Sequence, residues 1–248
     1  MNKAIKKLLI IPLVVSTTFS VNVEASPYKI CDKFNTYMKE NAPSLYSEDV
    51  FYTQGANSYK FGGTCSEVCE ANVMNLLFNT DYTEQDFVDL AYKLNMCTVE
   101  SGNRALDGAQ TPIQMVNVLQ YMGGTTGHPV KAELKVTKDV PSDVETANLL
   151  MSGKYMIVTV DSNILWGISE QECINSGKEY YVSDHWIVIR KPIFKDDVLV
   201  GFEIADSSGL KIKTIDLQKF NSIIHGPTGD ELPYCACVIV SKVKTNKH

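Results

Sequence analysis

Residues 61–78 read "FGGTCSEVCEANVMNLLF". After the Gly-Gly pair, Val68, Cys69, Val73, Leu76 and Leu77 recur at helical spacing, which predicts a helix that starts at Cys65 and buries one face. Thr64 is the expected N-cap. Cys65 then stands at a helix mouth, where backbone amides lack carbonyl partners and favour negative charge. Gly62 and Gly63 allow a close backbone approach with amides exposed, and such amides can receive a developing oxyanion. A thiol becomes a nucleophile when its pKa falls from about 8.5 into the range of roughly 3.5–7.5, which a helix N-terminus and a nearby imidazolium both favour. The base must come from elsewhere in the chain.

Downstream, three more helices are marked by their ends. "TEQDFVDLAYKL" opens on Thr83 with acids in its first turn, and "TPIQMVNVLQYMGG" has Thr111 at the cap, Pro112 at the first helical position and Gly123 as terminator. "SDVETANLLMSG" is the third, ending at Gly153. From residue 155 the pattern changes to strands: "YMIVTV" (155–160), "HWIVIR" (185–190), "VLVGFEIAD" (198–206), "LKIKTI" (210–215) and "YCACVIVSKV" (234–243). The two flanking "PIFKDD" read as a hairpin. Helices followed by grouped strands predict an α+β fold, with a helical N-terminal half packed on a C-terminal antiparallel sheet.

Upstream, "MNKAIKKLLIIPLVVSTTFSVNVEA" has a basic start, an apolar run from Leu8 to Val15, and Val23 and Ala25 as a small-residue pair. This is the pattern of a secretory signal peptide over residues 1–25, cleaved after Ala25. The run is shorter than the roughly 20 residues needed to span a bilayer, so no transmembrane anchor is expected. Residues 26–248 have the length of one well-cored domain, and the expected location is secreted or periplasmic. Cleavage removes three of 23 Lys and Arg and one of 29 acids, leaving a formal charge of −8. Such an acidic chain is a poor partner for nucleic acid.

Seven cysteines follow the signal: Cys31, Cys65, Cys69, Cys97, Cys173, Cys235 and Cys237. In an oxidising compartment thiols pair, and an odd number leaves one over. Taking Cys65 as the odd thiol leaves six for three bridges; Cys235 and Cys237 lie too close to bond each other. The four histidines form no pair with metal-ligand spacing, so no metal or other cofactor is expected.

His185, opening "HWIVIR", is the candidate base, with Trp186 beside it to shield the site from water. Asp206 ends the next strand, and an antiparallel hairpin brings the start of one strand to the end of the other. Cys65, His185 and Asp206 thus form a candidate nucleophile, base and orienting carboxylate. His128 and His225 read as loop residues, and Asp206 before "SSG" also suits a turn.

Counting from Cys65, a small residue stands at the fourth position (Cys69), Ala71 at the sixth, Val73 and Met74 at the eighth and ninth, and Asn75 at the tenth. This series, followed by "YTEQDFVDLA", "GAQTPIQMVNVLQYMGG", "YMIVTV", His185 and Asp206, resembles the papain-like cysteine peptidase superfamily, in particular the bacteriocin-processing (double-glycine) type and related secreted effector or toxin enzymes. The resemblance covers about residues 50–220. It implies a papain-like fold and amide-bond chemistry on a protein or peptide substrate, as peptidase, glutamine deamidase or transglutaminase. Ser66 and Glu67 depart from that type's Gly-Pro, and Tyr59 stands where its oxyanion glutamine belongs, with Gln54 the nearest substitute. In the papain branch a bridged cysteine precedes the nucleophile, a pattern that would make Cys69 catalytic; Cys69, one turn deeper, would lack the amide cradle. "YKFGGTCS" is also similar to NlpC-type peptidoglycan peptidases, whose Gly-Asp-Leu strand is missing here. A non-catalytic, disulfide-stapled secreted binding protein is the alternative of another class.

Overall fold

A computed structural model of the chain describes residues 54–208, 212–226 and 235–243. The expected signal peptide and Cys31 lie outside them. The fold is mixed α+β. Its described elements run α1 (Cys65–Phe78), α2 (Glu84–Lys93), α3 (Pro112–Thr126), β1 (Val130–Val136), α4 (Asp143–Met151), β2 (Tyr155–Val160), α5 (Ser162–Trp166), α6 (Glu170–Asn175), β3 (His185–Lys195), β4 (Val198–Asp206), β5 (Ile212–Asp216), α7 (Leu217–His225) and β6 (Ala236–Lys242). The six strands form one antiparallel sheet in the order β1-β6-β2-β3-β4-β5. Among the described residues no helix is long and apolar enough to cross a membrane.

Local chemistry explains most boundaries. Thr83, Thr111, Ser142 and Ser169 each cap their helix through a reciprocal box with Asp86, Gln114, Glu145 and Glu172. The expected terminator Gly123 does not end α3. The helix runs on to Thr126 and closes on Gly127, which adopts φ +77°. Gly123 serves contact instead, since a Cβ there would lie 2.5 Å from the carbonyl oxygen of His128. The β3–β4 hairpin turns on Asp196 and Asp197, both at positive φ, as a two-residue turn between twisted strands requires.

β2 is buried along its whole length, which demands cover on both faces of the sheet. Helices α1 to α3 pack together, with α1 and α3 seated on the sheet, and α4 and α7 pack onto it as a second pair. Helix α1 is the centre of this arrangement: 13 of its 14 residues are buried, so it is enclosed on all sides rather than along one stripe. β1 and the helices α5, α6 and α7 fall outside the expected elements, and β1 interrupts the expected helical half.

Candidate active site

The nucleophile position is built by the N-terminus of α1. Thr64 occupies the N-cap position but makes no cap bond. Its hydroxyl turns to Glu84 and accepts the amide of Gly55, leaving the first turn of α1 without a threonine cap. Cys65, 9 % exposed, opens the helix onto a cavity of about 960 Å³ that it shares with Gln54, Ser66, Trp166, His185 and Trp186.

The glycines before it play a different part from the expected one. Gly62 N–H donates to Arg104 O at 3.0 Å and Gly63 N–H to Asp107 O at 2.8 Å, so neither amide is free for an oxyanion. A Cβ on either would strike the carbonyl oxygens of Arg104 or Ala105 at under 3 Å. The pair locks the 104–107 loop against the nucleophile turn. The donors left near the sulfur are the first-turn amides of α1, which have no intrahelical acceptor, and the side chain of Gln54.

Gln54 is brought to the site despite standing eleven positions before Cys65. Its backbone N–H donates to Ser207 O at 3.1 Å, its Oε1 accepts Ser207 Oγ at 3.1 Å, and its Nε2 donates to Gly62 O at 3.2 Å. One Nε2 proton remains. The residue after Asp206 thereby fixes the amide group beside Cys65.

His185 and Asp206 meet by strand register. Asp206 pairs with Ile187, two residues beyond His185 and therefore on the same face, so the contact is diagonal rather than directly opposite. His185 Nε2 lies 2.9 Å from Asp206 Oδ1, with the imidazole 5 % and the carboxylate 0 % exposed. With Nε2 engaged by Asp206, Nδ1 is the ring nitrogen that remains for Cys65, which lines the same cavity. Burial alone would lower the imidazole pKa, but hydrogen bonds to Asp206 and to the Cys65 sulfur outweigh it and hold the ring at about 9. Burial would likewise raise the carboxyl of Asp206; donors from His185, Lys213 and Trp166 reverse that and keep it well below the usual carboxylate range.

Two members of this cluster, Trp166 and Lys213, escaped the sequence reading. Trp166 donates from Nε1 to Asp206 Oδ2 at 3.0 Å and sets its ring 5.5 Å from that of His185, taking the covering role expected of Trp186. It is delivered by α5, capped by Asp161 and ended by Gly167 in the left-handed region. That Asp and Gly pair around "SNILW" was the available signal. Lys213 Nζ reaches Asp206 Oδ2 at 2.9 Å from β5, where it pairs with Ile204, two residues before Asp206 on the same face.

Cys69 is wholly buried, its Sγ 3.4 Å from the carbonyl oxygen of Trp186, and burial pushes its thiol well above the ordinary value. It is a core residue. Among the described residues none of the expected bridges is found: Cys69, Cys97, Cys173, Cys235 and Cys237 are free thiols, as is Cys65. Cys235 and Cys237 are buried at β6, between β1 and β2, and Cys173 is buried in α6. His128 meets Tyr82 Oη at 3.0 Å through Nδ1 and His225 ends α7; neither lines the cavity. Among the described residues no group of metal-ligating side chains is assembled.

Behind the nucleophile lies an unexpected acid pair. Glu67 and Glu70 on α1 are 0 % exposed, and burial raises both, Glu67 to about 8. Glu67 Oε2 accepts Ser66 Oγ at 2.6 Å, whereas among the described residues Glu67 Oε1, both oxygens of Glu70 and the side-chain amide of Gln110 meet no partner at hydrogen-bond geometry. The sequence matches no family model and no curated protein.

Proposed function

We propose that this chain is a papain-like thiol hydrolase acting on amide bonds, with Cys65 as nucleophile, His185 as base and acid, and Asp206 as orienting carboxylate. The observation that carries this reading is the buried 2.9 Å contact of His185 Nε2 with Asp206, which leaves Nδ1 for the sulfur at the mouth of α1. His185 takes the thiol proton through Nδ1, and Sγ attacks the carbonyl carbon. The first-turn amides of α1 and the remaining Nε2 proton of Gln54 receive the oxyanion. The intermediate collapses as Nδ1–H protonates the leaving amine, and water then releases the acyl group from sulfur.

The substrate class is a protein or peptide amide. Attack on a main-chain amide gives peptidase activity; attack on a glutamine side chain gives deamidation, or transglutamination when an amine replaces water. The 1–25 segment supports a secreted or periplasmic enzyme, and a toxin or effector role accords with the resemblance. The test is incubation of the purified protein with a protein extract, read by mass spectrometry for new termini and for glutamine-to-glutamate shifts. Activity lost in both Cys65→Ala and His185→Ala, with folding retained, is the expected result. Turnover retained in Cys65→Ala would contradict the assignment.

A further inference from the structure

The carboxylate of Asp206 accepts four hydrogen bonds. Oδ1 takes His185 Nε2 at 2.9 Å and the Ser208 amide at 3.0 Å; Oδ2 takes Trp166 Nε1 at 3.0 Å and Lys213 Nζ at 2.9 Å. Three of these donors fix geometry. Besides the imidazolium form of His185 itself, Lys213 alone of the four adds a full positive charge, on the oxygen that His185 does not use. The charged and titratable groups around the pair are Cys65 and Cys69 from α1, His185 from β3, and Lys213 from β5, which Lys219 of α7 faces from further out, with Lys178, Glu179 and Asp184 lining the same cavity ahead of β3. Helix α5 contributes only the indole of Trp166.

We propose that Lys213 is a positioning residue of the site: its ammonium pins Asp206 Oδ2 and, by offsetting part of the carboxylate's charge, limits how strongly Asp206 holds the proton on His185. The proposal rests on the triad reading above. An imidazolium bound to an unopposed buried carboxylate gives up its proton reluctantly, and a general acid must release it to the leaving amine. Lys213 weakens that grip while keeping the carboxylate ionised. A hydrogen bond from a neutral donor would hold the carboxylate in place but would not do this.

The sign follows. Removing the charge at position 213 makes the carboxylate a stronger partner for the imidazolium, so His185 titrates at higher pH, and it makes Asp206 easier to protonate. A residue that only braces the sheet moves neither. The experiment is NMR titration of the histidine imidazoles in the full chain carrying Cys65→Ala, so that His185 titrates without its thiol neighbour, alone and combined with Lys213→Gln, Lys213→Met or Lys213→Arg. The expected result is an upward shift of the His185 midpoint by about half a unit or more in Lys213→Gln and Lys213→Met, and little shift in Lys213→Arg. An unchanged midpoint in a folded Lys213→Gln or Lys213→Met chain overturns the proposal, as does loss of fold in both, which assigns Lys213 to the fold. The titration needs no substrate, so its outcome stands apart from whether the chain turns over an amide.

Discussion

Two sets of buried carboxyls lie near the nucleophile, Asp206 at the end of β4 and Glu67 with Glu70 on α1 itself, and their surroundings are opposite. Asp206 has four donors and is held far down as an anion. Glu67 and Glu70 are fully buried, with three carboxyl oxygens that meet no partner at hydrogen-bond geometry among the described residues, and burial drives them towards the neutral acid. Desolvation acts on both sets in the same direction; only the supply of donors differs. A carboxylate that must stay charged is given an ammonium, an indole, an amide and an imidazole. Acids without such partners keep their protons.

The largest effect comes from removing the charge where it is supported. Asp206→Ala strands the ammonium of Lys213 and the ring of His185, and breaking a buried pair from one side costs about 3–5 kcal/mol. Urea unfolding of the variant at pH 7 measures this, and a loss under about 1 kcal/mol would mean that the four donors do not act together.

Next in size is Gln54, the arm that ties Ser207 to the oxyanion side. Gln54→Ala is expected to lower kcat by about 100-fold with KM little changed, the range for loss of one oxyanion donor. A change in KM alone would reassign Gln54 to substrate binding.

The effect that is smallest per pH unit tests the donor-poor set. An acid whose pKa rises from 4.5 unfolded to about 8 folded keeps its proton only in the folded chain between those limits. Stability from this group therefore falls as pH rises through that window, by roughly 1.4 kcal/mol per unit, and levels off above it. Glu67→Gln removes the slope, so the variant gains on wild type from pH 5 to pH 8. Parallel stability curves over that range would show that Glu67 is already ionised at pH 5. His185, raised from 6.5 to about 9, adds its own decline between those values, and that part persists in the variant.

How far the chain could be read follows from which interactions are local. Cys65, His185 and Asp206 were legible because a helix start and two strand ends are written in short periodic segments, and strand parity brings His185 and Asp206 to one face. The helix caps at Thr83 and Thr111 were legible for the same reason. Trp166 and Lys213 were not, because their roles depend on how α5 and β5 dock beside β4, which no neighbouring residue states. The role of Gly62 and Gly63 inverted once the 104–107 loop occupied their amides. Counting cysteines suggests three bridges, yet the six described thiols are free, and all but the half-buried Cys97 are buried in the packing. Gln54 was legible only as the nearest substitute for an absent residue; the hold of Ser207 is what brings it in.

The central claim is that His185 activates Cys65, and the direct measurement is iodoacetamide labelling of the native protein at pH 6, mapped to each cysteine by mass spectrometry, for wild type and His185→Ala. The account predicts that Cys65 is labelled first, that buried Cys69 stays unlabelled, and that His185→Ala slows Cys65 by about tenfold or more. Labelling of Cys69 ahead of Cys65, or an equal rate in His185→Ala, would contradict it.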